Sequence, residues 1–443
     1  MTKLSVIGLG KLGACSAACF AYRGFEVIGV DINKDLINAI NSGVAPVYEP
    51  RLQELITSAK DKLKATQDYK EAIKSSDTTF FIVPTPSNED GNFSNKYLIS
   101  ALRSLAAALK KSDKPYHLFV ITSTVSPGAT DESLIPLIEK TSGRKLNDGF
   151  GVCYNPEFIA LGNVITDFLN PDMVLIGESN EFAGEQLTKI YKTVCENNPY
   201  IARMSIISAE ITKISLNSYI TMKISYANTL SNICEKIPGA NVDDITKALG
   251  ADKRISPFYL KGGLGYGGPC FPRDNMAFTT FAARHGVDAK LARSTDEINR
   301  FQVRHLIDLV MGQVTDGNKA VSVLGLSYKP NTPVIEESLS IKLIEELLKG
   351  KIRVACYDPL AIDNAAVVFG DRVHYAVSIE ECLSNSSVCI IATEAEEFKS
   401  IDNSYIVNNP TTIIDCWRML DPEKFNKGVK YIALGKARRG EWG

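Results

Sequence analysis

The amino-acid sequence predicts an α/β protein in which two doubly wound parallel-sheet domains are joined by a helical core with a long central helix. Two observations predict this fold class. Short runs rich in Val and Ile alternate with longer amphipathic stretches near each end of the 443-residue chain, a pattern typical of parallel strands joined by crossover helices. Between these regions the strand pattern disappears, and long stretches keep a helical spacing of apolar residues.

Two sets of short apolar runs predict the strands of the two sheets. The first set is Leu4–Leu9, Glu26–Asp31, Thr79–Val83 and His117–Thr122. The second set is Val321–Leu326, Ile352–Asp358, Val388–Thr393 and Thr411–Asp415. Two local echoes support an internal duplication. Val6-Ile-Gly-Leu-Gly resembles Val323-Leu-Gly-Leu-Ser, and Val27-Ile-Gly-Val-Asp resembles Val354-Ala-Cys-Tyr-Asp.

The stretch from about Ser205 to Cys234 contains neither Gly nor Pro and predicts the long central helix. A further helix is predicted from Val242 to about Gly250. At ~1.5 Å per residue, the long helix could join two domains and carry a dimer interface. We therefore expect a sheet domain over residues 1–200, a helical core over 201–300 and a second sheet domain over 301–443, assembled as a homodimer or a larger homo-oligomer.

Gly8, Gly10 and Gly13 form a Gly-x-Gly-x-x-Gly pattern between the first predicted strand and a helical segment that ends at Tyr22. Such glycines allow a tight turn, close approach of a pyrophosphate and close packing of helix on strand. Asp31 ends the second strand, where a carboxylate binds ribose hydroxyls and disfavours a 2′-phosphate. A glycine pattern alone often marks only a turn, but here strand, helix and acidic residue occur in the expected order. The sequence predicts NAD as the cofactor.

Neighbouring residues complete the predicted cofactor site. Ligands of such sheets bind beyond the carboxyl ends of the strands, so the loops containing Thr85 and Thr124 should line the same crevice. Turn chemistry alone also explains the Pro, Ser and Gly of these loops. Lys11 and Leu12 lie inside the glycine pattern, and Lys34 follows Asp31, although a surface lysine is the commoner explanation for Lys34.

A glycine-rich stretch presents one cysteine. Residues 262–268 contain five glycines in seven positions, and Cys270 follows them. Such a loop loses much backbone entropy on folding, which suggests that its backbone approaches a ligand closely. A cysteine is by default a small buried apolar residue. The glycine context and the neighbouring Arg273 and Asp274 favour a nucleophile here.

Two further polar clusters are candidates for the same site. Glu210, Lys213 and Asn217 are spaced by three and four residues, which places them on one face of the long helix. The simplest interpretation of this cluster is an exposed Glu–Lys pair. Asn155-Pro-Glu157 places a carboxylate in a proline turn after a predicted strand region.

Composition excludes several classes of protein. Forty-nine Lys and Arg against fifty-one Asp and Glu give no cationic surplus for nucleic-acid binding. No apolar run approaches the ~20 residues needed to cross a membrane, and the N-terminal run is too short and glycine-rich for a secretory signal. Ten scattered cysteines without a Cys-x-x-Cys pair, and four isolated histidines, predict neither disulfides nor a metal site. We expect a cytoplasmic, metal-free protein.

Several motifs in order resemble the UDP-glucose/GDP-mannose dehydrogenase family. They are GLGKLG, STVSPG, NPEF, FLNPD, the Glu-x-x-Lys-x-x-x-Asn helix, GYGGPCFPRDN and LGLSYKPNT, and they cover essentially the whole chain. The resemblance implies an NAD-binding Rossmann domain, a helical dimerisation core and a C-terminal Rossmann-like domain that binds the nucleotide. It implies oxidation of a sugar C6 alcohol to a carboxylate by two hydride transfers to two NAD.

The resemblance also implies catalytic roles. Cys270 would attack the aldehyde to give a thiohemiacetal, and loss of hydride would leave a thioester. Lys213 would stabilise the developing oxyanion, with Asn217 donating beside it, and Asp274 would order or deprotonate a water. Glu157 would be the general base in thioester hydrolysis. Other candidates are Thr124, which would hold water or nicotinamide, and Glu157 and Arg273 as contacts to the cofactor.

Substrate contacts are carried over in the same way. The candidates are Phe158, Ile159, Lys213, Asn217, Arg254, Tyr259, Lys261, Gly262, Gly267 and Lys329. Arg254 matches a family arginine that reaches into the neighbouring subunit's substrate site. Lys329 falls in the C-terminal motif that binds nucleotide or sugar.

Departures from the family pattern leave the sugar open. The acidic residue usual after NPEF is replaced by Leu161, and an arginine is missing from the segment that begins at Val334. A UDP-glucose 6-dehydrogenase that makes a uronate for polysaccharide or glycoconjugate synthesis is the leading interpretation, and a UDP-N-acetylhexosamine or GDP-mannose 6-dehydrogenase is the alternative. A two-electron β-hydroxyacid or 6-phosphogluconate dehydrogenase would need neither Cys270 nor a second Rossmann-like domain. A non-catalytic NAD- and UDP-binding regulatory homologue would have no chemical reason to keep the full set of Lys213, Asn217, Cys270 and Asp274.

Overall fold

The computed structural model describes residues 2–159, 162–314, 319–384, 386–406, 412–426 and 428–437. The chain forms two compact units, Met1–Ile214 and Ser215–Gly443, called below the N-terminal and C-terminal units. None of the helices within the described ranges is long and apolar enough to span a membrane.

The N-terminal unit is built on one mixed sheet. Its strands are β1 (Leu4–Ile7), β2 (Val27–Val30), β3 (Leu63–Thr66), β4 (Thr78–Phe81), β5 (Leu118–Ile121), β6 (Lys145–Leu146), β7 (Gly149–Tyr154), β8 (Met173–Glu178) and β9 (Tyr200–Ser205). The order is β3-β2-β1-β4-β5-β7-β8-β9, with β6 beside β7. The pairs are parallel except β7 with β8. The four predicted strands are confirmed as β1, β2, β4 and β5; β1, β2 and β5 are shorter than predicted, and β4 begins one residue earlier and ends two residues earlier.

Helices cover both faces of this sheet. They are α1 (Lys11–Tyr22), α2 (Lys34–Asn41), α3 (Leu52–Ser58), α4 (Tyr69–Ser75), α5 (Lys96–Lys110), a π-helical turn (Thr130–Leu134), α6 (Ile135–Ser142), α7 (Val164–Leu169) and α8 (Glu181–Val194). Side chains alternate between two apolar cores, with Leu118 and Val120 in one and Phe119 and Ile121 in the other. β5 is therefore apolar at every position because both faces of the sheet are buried there.

The C-terminal unit repeats this strand order. Its strands are β10 (Ala320–Leu324), β11 (Arg353–Tyr357), β12 (His374–Tyr375), β13 (Val388–Ile391), β14 (Thr412–Asp415) and β15 (Lys430–Ala433). They form a parallel sheet in the order β12-β11-β10-β13-β14-β15, which matches β3-β2-β1-β4-β5-β7. Both orders are those of the Rossmann fold. The four runs predicted for the second sheet are confirmed as β10, β11, β13 and β14.

Seven helices follow β9 in the described part of the chain. They are α9 (Ile206–Cys234), α10 (Val242–Gly250), α11 (Phe271–Arg284), α12 (Lys290–Met311), α13 (Leu339–Lys349), α14 (Ile362–Phe369) and α15 (Ile379–Ser384). Single 3-10 turns span Gly370–Arg372, Glu396–Ser400, Asn403–Tyr405 and Pro422–Lys424. The predicted long helix is confirmed as α9, and the break between the two units falls within it. The predicted domain boundaries remain predictions.

The duplication suggested by the sequence extends to a specific contact. In the N-terminal unit the Leu9 N–H, just after β1, donates to Asp31 at the end of β2. In the C-terminal unit the Leu326 N–H, just after β10, donates to Asp358 at the end of β11. Asp358 accepts four further bonds, from the N–H and hydroxyl of Ser327 and from the next two backbone N–H groups after Pro359. Its carboxylate is buried and used by its own chain, whereas Asp31 is partly exposed.

Candidate active site

The glycine loop at the start of α1 leaves an open surface for a ligand. A side chain at Gly8 would clash with the Ile82 carbonyl, and one at Gly13 would clash with the Gly8 carbonyl. These two glycines therefore permit the tight turn and the close packing of helix on strand. A Cβ at Gly10 would meet no protein atom within 4 Å, and Gly10 is exposed at the N-cap of α1 without a side-chain cap. The N-terminus of α1 thus has open space beside Gly10, where a pyrophosphate fits.

Asp31 keeps hydrogen-bonding capacity for a ribose. Its Oδ2 accepts the Leu9 N–H at 2.6 Å, and its Oδ1 accepts the Asn33 N–H at 2.8 Å. These bonds fix the carboxylate, and each oxygen retains a lone pair for a ribose hydroxyl. Lys11 and Lys34 are exposed nearby in the chain, while Leu12 is half-buried against the core. The residues around Gly10 and Asp31 therefore fit an NAD dinucleotide.

The loops after β4 and β5 are bound to each other. The Ser123 hydroxyl accepts the Val83 N–H at 2.9 Å and lies 2.8 Å from the Val83 carbonyl oxygen. Thr85 is buried and Thr124 is half-buried in these loops. Because β1 and β4 lie at the point where the strand order reverses, the loops flank the usual dinucleotide crevice.

Lys213 is anchored on the loop that follows β7. Its side chain is only 6% exposed, and its Nζ donates to the Glu157 carbonyl oxygen at 2.7 Å. The ammonium also lies 4.7 Å from the centre of the Phe158 ring, a cation–π distance. The sequence placed Glu157, Phe158 and Lys213 in one site, and within the N-terminal unit they are in contact. Ile159 is half-buried beside Phe158 in the chain, and Leu161 lies outside the described residues.

Burial shifts the pKa of the Glu157 carboxyl group. Burial raises its pKa to about 7, against the opposing effects of a hydrogen bond from Tyr191 and the positive charge of Lys213. The Tyr191 hydroxyl lies 3.3 Å from Glu157 Oε1 and 2.6 Å from Asn155 Oδ1. A carboxyl group with a pKa near 7 can take up and release a proton at physiological pH. Tyr191 was missed in the sequence, since nothing distinguishes it within the amphipathic helix α8.

Glu210 does not form the exposed pair with Lys213 that its spacing suggested. Its side chain is fully buried, and its carboxylate accepts the N–H groups of Gly128 at 2.6 Å and Thr130 at 3.1 Å. The simplest interpretation of the cluster is therefore wrong. Helical spacing alone could not distinguish a solvent-exposed partner from a buried loop that lies four strands earlier in the sequence.

In the C-terminal unit, Cys270 is the exposed cysteine. It occupies the N-cap of the 14-residue helix α11, and the nine other cysteines are buried. All ten are thiols rather than disulfides. A helix N-terminus favours negative charge, so this position favours the thiolate, which is the nucleophilic form.

Asp274 is held one turn further along α11. Its carboxylate is 1% exposed and accepts the Asn217 side-chain N–H at 2.6 Å. Its other oxygen lies 3.6 Å from Nε of Arg273, whose side chain is half-buried. The next residues along each helix, Ser218 and Asn275, form a second bond of 2.7 Å. These two bonds fix the register of α9 against α11.

The glycines before Cys270 pack against residues that are distant in sequence, which the sequence did not reveal. A side chain at Gly262 would clash with the Ala227 carbonyl, and one at Gly267 would clash with the Glu337 carbonyl. At Gly263 and Gly268, side chains would meet the rings of Trp417 and Tyr328. The protein's own packing therefore requires these glycines. Their contact with a substrate remains a prediction.

The other candidate substrate contacts lie at or near the surface of the C-terminal unit. Arg254 is highly exposed and forms an ion pair with Asp252 at 2.7 Å. Tyr259 has φ +60° and is about half exposed. Lys261 pairs with Glu394 and lies 5.8 Å from the Trp417 ring centre, and Lys329 lies 5.8 Å from the Tyr328 ring centre.

The described residues contain no group of three or more His, Cys, Asp or Glu side chains that could hold a metal ion.

Comparison with known proteins assigns all three regions of the chain to one family. Models of the UDP-glucose/GDP-mannose dehydrogenase family match residues 2–195 with its NAD binding domain, 207–301 with its central domain and 322–422 with its UDP binding domain.

Individual relatives extend over nearly the whole chain. UDP-glucose 6-dehydrogenase AglM of Haloferax volcanii is 37% identical over 98% of this chain and 100% of its own length. GDP-mannose 6-dehydrogenase of Pseudomonas syringae is 33% identical over 90% of this chain and 93% of its own. A solved UDP-glucose dehydrogenase from Pyrobaculum islandicum has a TM-score of 0.90 and 30% identity, covering 99% of this chain and 98% of that one.

Proposed function

Because the chain belongs to the UDP-glucose/GDP-mannose dehydrogenase family and is an NAD-dependent nucleotide-sugar dehydrogenase, we propose that it converts UDP-glucose, two NAD and water into UDP-glucuronate and two NADH. The full-length likeness to UDP-glucose 6-dehydrogenases supports the choice of sugar. One observation carries the four-electron chemistry: Cys270 is the exposed cysteine, and it occupies the N-terminus of α11. An oxidation that stopped at the aldehyde would need no nucleophile.

The first oxidation requires a proton to leave the C6 hydroxyl and a hydride to leave C6. When bound, NAD supplies the hydride acceptor for this step and again for the second oxidation. Lys213 stabilises the negative charge that develops on the sugar oxygen. Asp274 orders the water that takes up the hydroxyl proton, and Asn217 holds the Asp274 carboxylate at 2.6 Å.

The second oxidation and the hydrolysis depend on Cys270 and Glu157. The Cys270 thiolate adds to the aldehyde carbon, and the thiohemiacetal loses a hydride to leave a thioester. Glu157 takes a proton from a water that attacks the thioester carbonyl, and Cys270 leaves as the thiolate. With a pKa of about 7, Glu157 is both basic enough to accept this proton and largely available as carboxylate above neutrality.

We expect the exposed side of α9 to bind a second copy of the chain. Tyr219, Tyr226 and Ile233 are spaced by seven residues and are 58%, 54% and 48% exposed. Seven-residue spacing forms an apolar stripe along one side of a helix, as in paired helices. Introducing a charge with Tyr226→Glu should shift the assembly toward monomers in light scattering, whereas Tyr200→Glu, at an exposed tyrosine of β9, should not. Equal masses for the two variants would count against this surface.

The sugar is tested by supplying one nucleotide sugar at a time to the purified protein with NAD and identifying the product by mass spectrometry. UDP-glucose should yield UDP-glucuronate, and UDP-N-acetylhexosamines and GDP-mannose should yield little uronate. The 33% identity to a GDP-mannose 6-dehydrogenase makes GDP-mannose the principal rival. Turnover of an acetylated sugar alone or of GDP-mannose alone would replace UDP-glucose as substrate. UDP and NAD binding without any turnover would favour the non-catalytic homologue. The expected cytoplasmic location remains a prediction.

A further inference from the structure

One turn of α9 fastens two loops of the N-terminal unit. Glu210 accepts the N–H groups of Gly128 and Thr130, in the loop and π-helical turn that follow β5. Three residues later, Lys213 donates to the carbonyl oxygen of Glu157, in the loop that follows β7. Strands β5 and β7 are neighbours in the sheet, so these loops emerge side by side at its carboxyl edge. The helix holds one loop through a carboxylate and the next through an ammonium group.

The loop after β5 is bonded at both ends. Gly128 has φ +93°, and a side chain at this position would lie 3.0 Å from the Glu132 carboxylate. Its Ser123 end is bonded to the loop after β4, which leaves Thr124 between that anchor and the Glu210 anchor. Both backbone N–H groups that Glu210 accepts lie within six residues of Thr124 in the chain. Glu210 itself is fully buried and lines no open surface.

We propose that Glu210 is a positioning residue for hydride transfer, which acts through the 122–130 loop to hold Thr124 against the nicotinamide end of NAD. The proposal rests on the proposed NAD-dependent function. It separates Glu210 from Lys213 and Asn217, which the sequence grouped with it, because the buried Glu210 carboxylate bonds only backbone N–H groups of the loop among its described hydrogen bonds. The adenosine end of NAD is held elsewhere, by Gly10 and Asp31, and should not depend on Glu210.

The test compares Glu210→Gln with a matched control, Glu178→Gln. Glu178 is also a largely buried carboxylate, which bonds Arg203 at 2.7 and 3.1 Å and belongs to no proposed site. Glutamine keeps the size of Glu210 but presents an amide donor to one of the two N–H groups. Loss of a charge-assisted hydrogen bond of this kind predicts a fall of about ten- to a hundredfold in kcat.

Two further readouts distinguish positioning from simple loss of stability. In Glu210→Gln, affinity for NAD should fall while affinity for ADP-ribose, which lacks nicotinamide, stays within about twofold, and the deuterium isotope effect with C6-deuterated UDP-glucose should rise. Glu178→Gln should lower Tm and leave kcat, both affinities and the isotope effect unchanged. Should Glu210→Gln fail to fold, Glu210→Asp, which retracts the carboxylate by one methylene, should show the same separation.

The proposal is overturned if Glu210→Gln keeps the wild-type kcat and NAD affinity, or if it loses ADP-ribose affinity and NAD affinity together. Failure of the proposed function is recognised separately. A wild-type protein that turns over no nucleotide sugar refutes that function, while the comparison of NAD with ADP-ribose still tests Glu210.

Discussion

Removing the Tyr191 hydroxyl should move the acidic limb of the pH–rate profile upward. In the proposed mechanism the Glu157 carboxylate is the base for thioester hydrolysis, so the rate falls as pH drops through its pKa. Burial raises this pKa to about 7, and the hydrogen bond from Tyr191 opposes the rise by favouring the carboxylate. Tyr191→Phe removes that bond and leaves the buried ring in place. The pKa of Glu157 should therefore rise further.

The size of the shift follows from the geometry. The Tyr191 oxygen is 3.3 Å from Glu157 and 2.6 Å from Asn155, so its single proton is shared and the bond to Glu157 is the weaker one. A weak bond to a charged group is worth about 1 kcal/mol, which corresponds to about 0.7 pH unit. At pH 7 the ionised fraction of Glu157 would then fall about threefold, while at pH 9 the rate would hardly change.

The assay is the single-turnover rate of uronate formation from pH 5.5 to 9, measured for the wild type, Tyr191→Phe and Glu157→Gln. The limb should move to higher pH in Tyr191→Phe and disappear in Glu157→Gln. A limb that stays in place or moves to lower pH in Tyr191→Phe would refute the assignment of this titration to Glu157. A limb that survives in Glu157→Gln would refute the role of Glu157 as base.

Three other predictions test the sites separately. Gly10→Ala should keep the wild-type Tm but weaken NAD binding, because its Cβ meets no protein atom and would point into the space proposed for the cofactor. Gly13→Ala should lower Tm, because its Cβ clashes with the backbone. Equal losses of Tm in the two variants would contradict this distinction. In the native protein, 5,5′-dithiobis(2-nitrobenzoate) should react quickly with one thiol, and Cys270→Ser should abolish that reaction. Burial lowers the pKa of His117 to about 3, below its ordinary value, so the unfolded chain takes up a proton that the folded chain excludes. The resulting stability is fully present above about pH 6.5 and is lost as the pH falls toward 3, at up to about 1.4 kcal/mol per pH unit. His117→Asn should therefore make the free energy of unfolding, measured with urea, depend less on pH in this range.

The strands of both sheets were predictable where they are buried on two faces. β1, β2, β4 and β5 are buried at every position and rich in apolar residues, and their ends were predicted within about two residues. The outer strands β8 and β9 were not predicted. β9 lies at the edge of the sheet and carries exposed Tyr200 and the paired Arg203, so it lacks an apolar signature. The antiparallel pairing of β7 with β8 is likewise a choice of tertiary structure that no local pattern encodes.

In the candidate site too, contacts between residues close in sequence were predictable, and contacts between residues far apart in sequence were not. Gly13 and Asp31 contact residues of their own βαβ unit, and their spacing predicted these contacts, whereas Gly8 packs against Ile82, which follows β4. The glycines at 262–268 were interpreted as making room for a ligand, but their clashes are with Trp417, Tyr328 and Glu337, far away in sequence. Glu210 was misinterpreted for the same reason, since its partners Gly128 and Thr130 lie about eighty residues earlier.

The central claim is that Cys270 couples two oxidations of one sugar. Its most direct test is the number of NADH formed per UDP-glucose consumed, measured at completion with limiting UDP-glucose, with Cys270→Ser alongside. The account predicts two NADH and one UDP-glucuronate for the wild type, and no uronate accumulation for the variant. One NADH per sugar in the wild type, or two in Cys270→Ser at the wild-type rate, would contradict it.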